Sequence, residues 1–262
     1  MTEPKAHAHS FNVAGVTVNI GSMRQAISAV IGDARRGCGF CLFTLNLDHC
    51  AKLGADAQFQ EAYRCARYVT ADGFPIVLLG RLNGAPVKRT TGADLLVPLC
   101  AQAARHGLPV FLLGPSKDVV ARAGARLAEC APNLLIVGSY TPGRNFDPKS
   151  VDADLAAERI RQSGARLCFV ALGAPRQEIF SARCLTQMPG TGFVCVGAAF
   201  DFLAGTQTRA PQFLRNNGLE WLWRLWSNPR RLAARYLQCA AVFPRLAVET
   251  ITQTIFARTG RT

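Results

Sequence analysis

The chain has 262 residues, 49% of them hydrophobic, and a formal charge of +13. That length suits one sizeable core with an appendage, and no stretch reaches the ~18 uncharged apolar residues that span a bilayer. A mean hydropathy of +0.13 excludes a multi-span membrane protein.

The opening MTEPKAHAHSFNV has neither an apolar core nor a cleavage site. It does not read as a signal peptide, so the chain is expected to stay in the cytoplasm. Residues 1–10 read as a disordered tail. Strand-like runs then follow at 12–20, 40–45, 68–71, 109–113, 134–137, 166–172 and 192–196. Helical patterns lie between them at 22–36, 55–66, 91–106, 117–130, 151–163 and 177–185. This alternation predicts an α/β fold over 11–208, a mostly parallel sheet with helices on both faces. Ligands of such sheets bind at the carboxyl ends of the strands.

The pattern changes after Gly205, where strand signals stop. Residues 209–262 read as a helical appendage broken at Gly218, at Asn228–Pro229 and at Pro244. The appendage carries nine arginines and two acids, net +7, more than half of the chain's excess. Trp221, Leu222, Leu225 and Trp226 stand near helical spacing among Arg224, Arg230, Arg231 and Arg235. Basic residues beside Trp and Leu suit an anionic membrane surface. The alternative is a helical hairpin packed on the sheet.

Ten cysteines do not suggest stapling in a chain of this size. Cys41, Cys100, Cys168 and Cys195 sit in apolar runs, where cysteine acts as a small hydrophobe. Cys38 and Cys41 form a C-x-x-C without a second pair at zinc spacing, and the histidines are scattered. The D-x-D of Asp152 and Asp154 lies at a helix start, where acids are favoured without any metal. No metal site and no cofactor are expected. The dinucleotide glycine fingerprint is missing, which disfavours an oxidoreductase. GPSKD, with Gly114, either aims N–H groups at an anion or is a turn capped by Ser116.

Five segments place polar residues beside glycines at strand ends. They are FTLNLDH with Thr44 and Asn46, VTADGFP with Asp72 and Gly73, and VKRTTGADL with Arg89, Thr90 and Gly92. The others are ALGAPRQE with Gly173, Arg176, Gln177 and Glu178, and VGAAFDFLAG with Gly197, Phe200 and Asp201. Gly138 closes a further strand. Each segment alone could be a turn and a cap, and Asp72 alone could be the N-cap of a helix at 74–79.

In this order, with RAP and GLEWLWRLWSNPRRLAARY, they resemble the WecG/TagA/CpsF glycosyltransferases of bacterial surface-polysaccharide assembly, over about residues 12–236. The resemblance implies a Rossmann-like catalytic domain with a membrane-seeking appendage. It implies inverting, metal-independent transfer from a UDP-sugar to a polyprenyl-diphosphate-linked saccharide at the cytoplasmic face of the membrane. By resemblance, Asp72 is the general base, and Thr44, Arg89 and Gln177 are catalytic. Asn46, Gly73, Thr90, Gly92, Gly114, Gly138, Gly173, Arg176, Glu178, Gly197, Phe200 and Asp201 are assigned to substrate. Arg215, Arg224 and Arg231 are candidates for the donor diphosphate. GRNF after Tyr140 departs from the aromatic loop common in the family. The sugar is expected to be glucose, N-acetylmannosamine or its uronic acid, with a lean to glucose; homo-oligomerisation stays open. A nucleic-acid partner is the competing reading of the charge, disfavoured because the excess is focused on one amphipathic end.

Overall fold

The computed structural model describes residues 10–143, 145–227 and 229–259, without the side chains of residues 216, 224, 227, 231 and 256–259. The expected N-terminal tail lies, Ser10 apart, outside the described residues.

A hairpin of β1 (Phe11–Val13) and β2 (Val16–Val18) opens the fold. The sequence expectation of one strand over 12–20 is corrected here. Ala14 and Gly15 take φ of 51° and 76°, the two-residue turn that reverses a chain between twisted strands. Next come α1 (Met23–Arg36), β3 (Phe40–Leu45), α2 (Leu47–Leu53), α3 (Ala57–Arg64) and β4 (Tyr68–Ala71). They are followed by α4 (Phe74–Leu82), α5 (Gly92–Arg105), β5 (Val110–Leu113), α6 (Lys117–Cys130) and β6 (Ile136–Tyr140). Then come α7 (Val151–Ser163), β7 (Leu167–Val170), α8 (Arg176–Gln187), β8 (Gly192–Cys195) and α9 (Ala199–Leu203). The chain finishes with α10 (Gln212–Asn216), α11 (Glu220–Ser227) and α12 (Pro229–Thr259).

Strands β3 to β8 form one parallel sheet in the order β4-β3-β8-β7-β5-β6. Side chains alternate across a strand, so β3 feeds two cores. Cys41, Phe43 and Leu45 join the core under α3, α8 and the β1–β2 hairpin. Phe40 and Leu42 join the core under α1, α5, α6 and α9. Packing is close at the strand starts: a Cβ on Gly192 would lie 2.2 Å from the Phe40 ring. The fold is the α/β sheet covered on both faces that the sequence predicts. All ten cysteines are free, and burial pushes the thiols of Cys41, Cys100, Cys168 and Cys195 up.

Helix starts follow their caps. Ser22, Ser116 and Ser150 each accept a backbone N–H of the third residue on. Ser116 therefore shows that GPSKD is at least an ordinary capped turn. The expected break at Pro244 is absent, because Pro244 lies inside α12. Its neighbours Val242, Phe243, Leu246 and Ala247 pack against the core, and these contacts hold the helix across the missing N–H. Helix α12 lies over α2, α4 and β1 and buries Cys239, Leu246 and Thr250. Among the described residues, no helix is long and apolar enough to cross a membrane.

Candidate functional site

The carboxyl ends of β3 and β4 set the first part of the site. The two strands run in register, Thr44 beside Thr70 and Leu45 beside Ala71. One further ladder bond, Asp72 N–H to the Leu45 carbonyl at 2.8 Å, carries Asp72 onto this edge. Gly73 then turns the chain at φ 92° and ψ 155°, a conformation open only to glycine. Gly73 is the N-cap of α4, and no side chain caps that helix. Asp72 is therefore not a helix cap. Its Oδ2 instead accepts the Thr44 hydroxyl at 3.3 Å. Asn46 caps α2, its Oδ1 accepting His49 N–H at 3.0 Å.

Helix α5 brings the second part. The loop before it is tied to β4 by Thr90 N–H to the Ala71 carbonyl and Thr70 hydroxyl to the Thr90 carbonyl, both 2.8 Å. Gly92 lets the helix start lie on β8: a Cβ there would stand 2.7 Å from Val196 Cα. Arg89 is thereby held beside the β4 edge, its Nη2 3.0 Å from Asp94 Oδ2. The same carboxylate takes Arg209 Nη2 at 2.5 Å, with Arg215 Nη1 3.9 Å away. Glu220 Oε2 approaches Arg89 Nη1 at 3.7 Å. Burial alone would push the Asp94 carboxyl up, but Arg209 and Arg89 outweigh it and hold it below its usual range. Among the described residues, Arg89 Nη1, Arg209 Nε and Arg215 Nε are buried without a hydrogen-bond partner. Gly218, at φ 73°, lies on Phe74, two residues beyond Asp72, so the appendage closes over this end of the sheet.

The third part is the turn from β7 into α8. Gly173, at φ 74°, donates its N–H to Gln177 Oε1 at 3.2 Å. Gln177 Nε2 donates to Glu178 Oε1 at 2.6 Å. Both side chains are buried, and Arg176 opens the helix ahead of them. The structure thus places Gln177 beneath the turn, as its brace. Burial pushes the Glu178 carboxyl up to about 7, and its Oε2 has no hydrogen-bond partner among the described residues. Lys52 ties the same turn to α2, from the Ala174 carbonyl at 3.2 Å to Asp48 at 2.7 Å, and Asp48 also holds Arg235 of α12 at 2.9 Å.

The remaining residues assigned from sequence spread along the edge. Gly197, at φ 56°, turns the chain after β8, and Asp201 Oδ1 accepts the Thr206 hydroxyl at 3.1 Å. Phe200 is fully buried and stands 2.9 Å from where a Gly114 Cβ would lie. Gly138 sits inside β6 against the Phe111 ring. Both glycines therefore have a packing reason to be small. Edge strands β4 and β6 lie five strand spacings apart, ~24 Å, so Gly138 is not brought together with Asp72. The side chains of Arg224 and Arg231 lie outside the described residues.

Asp152 accepts the Tyr140 hydroxyl at 2.5 Å and Gly143 N–H at 2.8 Å, while Asp154 pairs with Arg183. Each acid of the D-x-D is thus committed to its own protein partners. Among the described residues no three His, Cys, Asp or Glu side chains are grouped to share a metal ion.

Asp94 and Arg209 are functional candidates that sequence reasoning passed over. Both stood inside segments already singled out, RTTGADL and RAP. The missing signal was their pairing across 115 positions. The family model described as Glycosyl transferase WecG/TagA/CpsF matches residues 11–256 of the chain.

Proposed function

The chain belongs to the WecG/TagA/CpsF family of glycosyltransferases, enzymes that transfer a sugar from a nucleotide-sugar donor to a saccharide acceptor, and we propose that it transfers a hexose from a UDP-sugar to a polyprenyl-diphosphate-linked saccharide with inversion. The observation that carries this reading is the placement of one carboxylate, Asp72, at a strand end next to a loop that delivers Arg89 into a three-arginine cluster. Inverting transfer needs these two things. A base takes the acceptor hydroxyl proton as its oxygen attacks the anomeric carbon, typically worth about 10²–10⁴-fold. Positive charge receives the electron pair that leaves with the diphosphate.

In this mechanism Asp72 is the base, and Thr44 fixes its orientation. The acceptor oxygen forms a bond to the anomeric carbon on the face opposite UDP. The bond from that carbon to the diphosphate oxygen breaks, and UDP departs into the N–H groups of Arg89, Arg209 and Arg215. Gln177 acts as a brace that shapes the β7–α8 turn under the substrate. The arginines do the electrostatic work, so no metal is required.

The acceptor's lipid chain explains the appendage. Trp226 and Phe213 are 86% and 71% exposed, and Trp221 and Leu222 are also exposed. Gly218, between Phe213 and Trp221 in the chain, rests on Phe74, which supports reading this apolar surface as the side from which a lipid-linked acceptor enters. Aromatic and basic residues at that place support peripheral binding to an anionic membrane at its cytoplasmic face. A screen of UDP release across UDP-glucose, UDP-N-acetylmannosamine and its uronic acid, with a lipid-diphosphate-sugar acceptor and with or without EDTA, tests the whole reading. One UDP-sugar should turn over only with acceptor and equally in EDTA. No turnover with any of them, or turnover abolished by EDTA and restored by Mg²⁺, would refute it.

A further inference from the structure

Asp94 is oriented before any arginine reaches it. It is the third residue of α5, whose cap Thr91 accepts the Asp94 N–H at 3.1 Å and donates its hydroxyl to Asp94 Oδ2 at 2.9 Å. The helix start cannot drift, because Gly92 lies against the Val196 backbone. Onto this fixed carboxylate converge guanidinium groups from three segments: Arg89 ahead of α5, Arg209 in the loop after α9, and Arg215 on α10. The ring of Phe202 supports Arg209 from beneath, 5.7 Å from its guanidinium carbon. Among the described residues, three cations here face two acids, Asp94 and Glu220, an excess of one positive charge. Each of the three side chains keeps about a quarter of its surface open. Among the described residues, one buried nitrogen of each has no hydrogen-bond partner, Nη1 of Arg89 and Nε of Arg209 and Arg215.

We propose that Asp94 is the positioning residue of the diphosphate subsite, gathering one arginine of the sheet domain and two of the appendage so that the open parts of the three side chains meet a single diphosphate. The inference rests on the donor reading above and adds an order of events. Arg209 and Arg215 reach the subsite only when the appendage is docked, so docking and diphosphate binding are linked. The carboxylate offsets the repulsion among the gathered guanidinium groups and so holds them together for an anion. An acid that merely occupied the site in place of phosphate would behave oppositely, and its removal would tighten binding.

The test uses full-length protein and three probes: inorganic pyrophosphate and UDP by titration calorimetry, and uridine by saturation-transfer NMR. Asp94→Asn is expected to weaken pyrophosphate and UDP at least tenfold and to leave uridine binding unchanged. Arg209→Gln should do the same, and covers the case in which Asp94→Asn does not fold. The double variant should be no worse than about either single one, since Asp94 acts through Arg209. Wild-type or tighter pyrophosphate binding in Asp94→Asn, or losses that multiply in the double variant, overturns the inference. If wild-type protein binds UDP and Arg89→Gln weakens it while Asp94→Asn does not, the inference alone fails. If wild-type protein binds neither UDP nor pyrophosphate, the donor reading fails with it.

Discussion

The Thr44 hydroxyl donates to Asp72 Oδ2 at 3.3 Å, joining the ends of two neighbouring parallel strands. The bond leaves Asp72 on the sheet edge, and the ladder bond from its N–H to Leu45 fixes the backbone whatever the side chain is. Asp72→Asn should therefore fold normally, bind UDP, and lose about 10²–10⁴-fold in kcat/KM, the usual worth of a general base. Thr44→Val removes only the orienting bond and should cost about tenfold. Stopped assays of UDP release, beside calorimetric UDP titration, separate the two effects. Turnover at the wild-type level in Asp72→Asn would remove this carboxylate from the mechanism.

Glu178 makes stability depend on pH in a direction opposite to the usual acid. Its carboxyl titrates near 7 in the folded protein, against an ordinary value of 4.5, because of burial. Between these values the folded state holds a proton that the unfolded state has lost, so stability falls as pH rises from 4.5 to 7. The lost amount approaches about 3 kcal/mol. Glu178→Gln keeps an acceptor for Gln177 and has no charge to bury. It should match wild type at pH 4.5 and be more stable by up to about 3 kcal/mol at pH 8, read by urea unfolding. His49 works on the acid side: burial lowers it from 6.5 to about 3, so its contribution is lost as pH falls through that window. A stability difference between Glu178→Gln and wild type that is the same at pH 4.5 and pH 8 contradicts the assignment.

The sheet was legible because its strands are short apolar runs that lead into turn residues, such as Asn46 after β3 and Gly114 after β5. Strands β3 and β4 and helices α6 and α7 stand where periodicity places them. Helix α2 was not foreseen, since Asn46 alone separates it from β3 and one residue gives little warning of a change in period. Pro244 misled because a local rule lost to packing on the core. Asp72 and Arg89 could be singled out from ordered motifs as residues of one sheet edge. The direction of Gln177 could not, because it depends on how the first turn of α8 rotates under Gly173. Nor could the Asp94 cluster, whose members meet only through tertiary folding.

Gly92 couples the fold to the site. A Cβ there would lie 2.7 Å from Val196 Cα and 2.9 Å from the Cys195 carbonyl, both backbone atoms that cannot swing away. Gly92→Ala should push α5 off β8, cost about 1–3 kcal/mol, and weaken UDP binding by displacing Arg89 and Asp94 together. Gly124 provides the contrast. Its Cβ would make an ordinary 3.5 Å contact with Leu112 within α6, so Gly124→Ala should stabilise by about 0.5–1 kcal/mol and leave UDP binding alone. Thermal melts with UDP titration distinguish the pair, and equal behaviour of the two variants would show that the close approach at Gly92 does not matter.

The appendage presents a membrane prediction that does not require cutting it off. Truncation near Gly205 would strip Cys239, Leu246 and Thr250 from the faces they cover, and loss of fold would mask any loss of membrane binding. Trp226 and Phe213 are largely exposed, so replacing them with Ala should change stability by no more than about 0.5 kcal/mol. If these rings enter the interface, each replacement removes apolar contact with lipid and should weaken partition onto phosphatidylglycerol vesicles about tenfold. Activity on a lipid-linked acceptor should fall with it, while turnover of a short-chain soluble acceptor stays near wild type. Sedimentation with vesicles measures the first effect and UDP release the second. Unchanged vesicle binding in the Trp226→Ala, Phe213→Ala double variant would place the membrane contact elsewhere on the protein.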